Sequence, residues 1–109
     1  MAEEFQIKGL ERLINASLVK DIYPMVDHIK IHYDKYFITQ RGNSRIDVDI
    51  FLNDPTITKE NMYDKEFDPH YLTEYHIKSY FPYFDLKNLA IDYVVWGPDE
   101  NIVYSWKNN

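Results

Sequence analysis

The sequence has no cysteine, only three glycines, and no apolar run near the length of about 18 residues that a membrane-crossing helix needs. Each absence removes a class of function. Without thiols there are no disulfides, no cysteine zinc sites and no Cys-His nucleophile. Gly9, Gly42 and Gly97 are scattered, so a glycine-rich phosphate loop cannot be built. Lysine and arginine total 12 against 18 acidic residues, a formal net charge of −6, and no window gathers the bases into a phosphate-binding stripe. Direct nucleic-acid binding is not expected. The first ten residues, MAEEFQIKGL, carry acids where a secretory signal needs bases, which reads as a cytoplasmic protein with no membrane attachment.

What is present suits one globular domain over residues 1–109, with 45% hydrophobic and 28% charged residues spread evenly along the chain. Aromatic residues make up 17%, ten of them tyrosine, which supplies large buried area with polar tips. Four histidines are too few and too spread to suggest a zinc site: His76 follows His70 by six residues, not by the four that place two ligands on one helix face. No strained G-x-S-x-G turn marks a nucleophilic serine.

Ile7, Leu10, Leu13, Ile14 and Leu18 recur at spacings of three and four and predict an amphipathic helix from about Glu3 to Ile22, ending before Pro24. The period then becomes two. Ile29, Ile31, Tyr33 and Phe37 alternate with polar residues, and Ile46, Val48, Ile50 and Leu52 repeat the pattern after QRGNS. The Gly42-Asn43 pair predicts a hairpin turn, with Asp49 opposite Tyr36 and Phe51 opposite Asp34. Asp68 followed by Pro69 is a helix start signal, giving a second helix to about Tyr80 after a long surface connection. NLAIDYVVW and NIVYSW, joined by GPDE, predict a closing hairpin. The order α-β-β-α-β-β implies an α+β fold: a four-stranded, mainly antiparallel sheet of two hairpins, with both helices on one face.

In RIDVDIFLND, residues two apart share a face, so Asp47 and Asp49 stand about 6.5–7 Å apart opposite the apolar face. Such a pair can bridge magnesium or manganese, with Asp34 and His32 of the preceding strand as further ligands. The four residues Asp47–Ile50 resemble the metal-binding element of nucleotidyltransferases, which implies metal-dependent phosphoryl transfer. The resemblance stops there, because Gly42-Asn43-Ser44 lies too close to Asp47 to be that family's upstream phosphate-cradling pair. The simpler expectation is a solvated strand face with no metal or other cofactor.

The more unusual feature is the aromatic run in SYFPYFDL. Tyr80, Phe81, Tyr83 and Phe84, with Trp106, offer more ring surface than one helix end ordinarily hides, and are the expected partner-binding patch. The favoured reading is a small non-catalytic interaction or structural protein that binds a protein partner or its own copy. Two alternatives are a hydrolytic or phosphoryl-transfer enzyme built on Asp47 and Asp49, and an acidic modulator of a host nucleic-acid-binding protein. Lysine outnumbers arginine nine to three, and isoleucine, asparagine and tyrosine are abundant. That composition suggests a phage accessory or virion component, acting in the host cytoplasm or the virion.

Overall fold

A computed structural model of the chain describes residues 2–38, 44–87 and 89–108, except for the side chains of 2, 3 and 34–38. The first helix, α1, covers 2–22: it is α-helical over Ala2–Leu13, widens to a π-helical stretch over Ile14–Val19, and closes on Lys20–Ile22. Four strands follow as β1 (Val26–Ile38), β2 (Ser44–Leu52), β3 (Ala90–Trp96) and β4 (Ile102–Trp106). Between β2 and β3 lies the second helix, α2 (69–79), then a 3-10 turn over Phe81–Phe84.

Asp68 starts α2 as its sequence implies, accepting from the backbone N–H groups of His70 and Tyr71 at 3.0 and 3.1 Å, with Pro69 at the first helical position. Both helices widen where polar side chains compete for carbonyls. Asn15 and Ser17 donate to the carbonyls of Glu11 and Leu13 in α1. Thr73 donates to those of Pro69 and His70 at the entry to the π-helical stretch Leu72–Ile77.

The sheet order is β1-β2-β3-β4. β1/β2 and β3/β4 are antiparallel, but β2 and β3 run parallel, so the sheet is mixed, not two hairpins laid antiparallel throughout. The physical reason is the connection 53–89, which carries α2 across one face and returns the chain in the same direction, as parallel pairing requires. The α+β class and the order α-β-β-α-β-β stand.

One core unites Ile7, Leu10, Ile14 and Leu18 of α1, Leu72 and Ile77 of α2, and the inward residues Ile29, Ile31, Ile46, Val48, Ile50, Ile91, Tyr93 and Val95 of the sheet. Both helices therefore cover the same face. The connection contributes Ile57, Met62 and Phe67 to this core, so it is anchored along its length.

The two outer strands differ in how they end the sheet. Along β1, Asn15 Nδ2 donates to the Ile29 carbonyl at 2.8 Å and the Ile29 N–H donates to Asn15 Oδ1 at 2.7 Å. The Ile31 N–H donates to Glu11 Oε2 at 2.7 Å. Side chains of α1 thus stand in for a neighbouring strand. No described side chain does the same for β4.

Candidate functional site

The face of the sheet turned away from the helices gathers every candidate of the Asp47–Asp49 group. Register arranges them in rows across the strands. Asp34, Arg45 and Ala90 form the first; His32, Asp47 and Asp92 the second; Lys30, Asp49, Val94 and Ser105 the third; His28, Phe51, Trp96 and Ile102 the fourth. The expected faces are right but the expected register is not. Asp49 lies opposite Lys30 instead of Tyr36, and Phe51 opposite His28 instead of Asp34. A slip of six residues is even, so it keeps every apolar side chain inward, and alternation alone cannot distinguish the two pairings. The longer β1 takes up three of those six residues in an irregularity between Asp34 and Ile38. The Gly42-Asn43 turn lies outside the described residues, as does the side chain of Asp34.

At the charged end, His32 Nε2 stands 3.4 Å from Asp49 Oδ2, and the Trp96 indole N–H donates to Asp49 Oδ1 at 3.0 Å. Both oxygens of Asp49 are therefore engaged. Asp92 is buried, with Arg45 Nη1 at 3.2 Å from Oδ2 and the Asn108 backbone N–H donating to Oδ1 at 2.7 Å. The Arg45 contact is one of charge, since Oδ2 has no aligned hydrogen-bond donor among the described residues. Asp92 was invisible as a neighbour of Asp47 until β3 was known to lie parallel beside β2. Among the described residues no three His, Asp or Glu side chains converge as a metal site.

At the other end the face is aromatic. The His28 and Phe51 rings are stacked, with centroids 4.5 Å apart and planes 10° from parallel, and Trp96 continues the series 6.4 Å from Phe51 at 13°. Three strands thus contribute one ring each to a single row. Asp27 Oδ2 lies 2.6 Å from His28 Nδ1 and steadies that ring from outside. Lys30 Nζ stands 5.8 Å from the Phe51 centroid, within reach of a cation–π contact.

Beside this row opens a cleft of about 750 Å³, between the start of β1 and the β3–β4 turn, lined by Asp27, His28, Asp49, Phe51, Trp96, Pro98 and Glu100 among others. Its volume is that of a ligand or side-chain pocket. Three carboxylates line it, with no lysine or arginine and no hydroxyl among its described residues. Chemically it can attract a cation and hold it against ring faces. A signal was present in the sequence: Phe51 and Trp96 fall on the outward phase of their strands, where a large ring is the exception.

The expected partner patch is divided by packing. Phe81 is buried at 6% exposure, and Tyr80 and Phe84 pack against the core. Gly9 explains the fit of Phe84, because a Cβ at that position would meet its ring at 2.8 Å. Tyr83 is left at the surface, 80% exposed. Trp106 sits on β4 with its ring 5.3 Å from that of His70, a separate place from Tyr83 on the molecule's secondary structure. Tyr71 and Tyr75, one turn apart on α2, stack at 4.7 Å and leave further aromatic surface exposed.

Burial shapes the acidity of the inner tyrosines. Desolvation, with smaller contributions from Tyr71 and Asp68, pushes Tyr23 up to about 12, and burial also raises Tyr93. Asp54 is held below the usual carboxylate range by hydrogen bonds from the Thr56 hydroxyl and N–H. No helix among the described residues is long and apolar enough to cross a membrane. No protein-family model, no curated protein and no solved structure matches this chain.

Proposed function

We propose that this chain is a non-catalytic protein-interaction module, working without a cofactor, whose binding surface is the aromatic end of the open sheet face. The observation that carries the reading is the row His28, Phe51 and Trp96 beside an acid-lined cleft. Rings with nearby carboxylates favour a cationic side chain, because the ring faces and the acids attract the same charge. The partner is therefore a protein segment presenting arginine or lysine. An acidic phage accessory protein acting on a basic host protein in the cytoplasm is one setting that fits this chemistry and the composition. Open sheets with exposed rings also stack nucleotide bases, but Asp47, Asp49 and Asp92 share this face and the chain carries −6, which repels phosphate.

The test is a titration of isotopically labelled protein with short peptides carrying arginine or lysine, beside matched peptides carrying glutamate. Amide shifts confined to the surroundings of His28, Phe51 and Trp96, seen with the basic set and lost in Trp96→Ala, are the expected result. Equal shifts with both sets, or none with either, would overturn it.

A further inference from the structure

We infer that β4 pairs with β4 of a second copy of this chain, antiparallel and centred on Tyr104, to form one continuous sheet. The first ground is the inequality of the two edges. Asn15 and Glu11 occupy the N–H and carbonyl of Ile29 and the N–H of Ile31 in β1, whereas no described side chain occupies backbone groups of β4. An uncovered edge presents unpaired N–H and C=O groups that template another strand.

The occupant follows from the strand itself. Ile102–Trp106 contains no charged residue, so two copies of a chain carrying −6 can meet there without carboxylates facing each other. Centring on Tyr104 sets Ile102 of each copy opposite Trp106 of the other. The strand's two most exposed apolar side chains, at 61% and 40%, then flank the seam, Ile102 on the open face beside Trp96 and Trp106 on the helix face against His70. Antiparallel edge pairing is generated by a two-fold axis perpendicular to the sheet, so the helices of both copies stay on one face and both clefts on the other. The pairing is isologous and uses the single β4 of each copy, so growth through this edge stops at two chains. A five-residue pairing is small, so the association is weak and concentration-dependent.

Two measurements on the whole chain test this. Sedimentation should show a weight-average mass rising from 13.2 kDa toward twice that value as concentration is raised to about 1 mM, and Ile102→Glu should hold it at one chain. Because the protein has no cysteine, Tyr104→Cys gives a single thiol placed about 4.5–5.5 Å, Cα to Cα, from its copy across the axis, within disulfide reach. Under mild oxidation it should cross-link at least tenfold faster than Tyr83→Cys, an exposed thiol elsewhere on the surface. A mass that stays at one chain throughout, or equal cross-linking of the two cysteine variants, would overturn the inference.

Discussion

The two edges of the sheet solve one problem differently. At β1 a helix lends side chains, and Asn15 supplies both an acceptor and a donor to Ile29, as a strand would. At β4 rings lie close, with Lys59 6.0 Å from the Tyr104 centroid and His70 against Trp106, yet these contacts leave backbone groups unmatched. Proximity of apolar surface is thus not closure. Hydrogen-bond complementarity along the strand separates a finished edge from one that can still accept a chain.

Asn15→Ala breaks the comparison most severely, because it removes both hydrogen bonds to Ile29, together with the one to the Glu11 carbonyl, and opens the edge of β1 at that residue. It should lower unfolding stability by about 2 kcal/mol in a denaturant titration. It should also raise the mass in solution above that of the parent protein at equal concentration. A variant that loses stability but not its oligomeric state would show that Asn15 only supports α1.

On the β4 side the equivalent anchor is α2, which is seated by its first turn. Asp68→Ala leaves the N–H groups of His70 and Tyr71 without their acceptor and should cost about 1 kcal/mol, read as a lower Tm. Asp68→Asn, which keeps the acceptor, should recover most of that loss.

Alkaline pH compares the two sides in one experiment. The folded-state value for Tyr23, about 12, lies above the ordinary 10.0, so the native state binds this proton more tightly than the unfolded chain does. The stability it contributes is complete below pH 10 and is lost as pH rises toward 12. Tyr23→Phe should flatten the fall of Tm over that window at the β1 side, and Tyr93→Phe should do so at β3.

The smallest effect concerns Asp47 and Asp49. With Asp49 already engaged by Trp96 and His32, millimolar magnesium or manganese should move Tm by less than about 1 °C, in the parent protein and in Asp49→Asn alike. A rise of several degrees that Asp49→Asn removes would instead make the charged end of the face a metal site.

Much of this architecture could be read from the chain because local chemistry dictated it. Period-two alternation placed Asp47 and Asp49 outward and Val48 inward, and Asp68-Pro69 marked the start of α2. What could not be read depended on distant segments. Nothing near Ala90 says that it will lie beside Arg45, so the pairing of Asp92 with Arg45 stayed hidden. Phe81 and Tyr83 are two residues apart and equally aromatic, but only packing decides that one is core and the other surface. The register error at β1 has the same origin: alternation sets which face a residue takes, and only the whole sheet sets which neighbour it meets.

The rows of the open face change steadily from ion pairs at Arg45 and Asp92 to stacked rings at Phe51 and Trp96. A surface graded in this way has a direction. A segment lying along the strands meets charge at one end and rings at the other, so turning it end for end presents the wrong chemistry at both. The recognition proposed for this face is therefore vectorial: a peptide and its sequence-reversed counterpart, identical in composition, should be told apart.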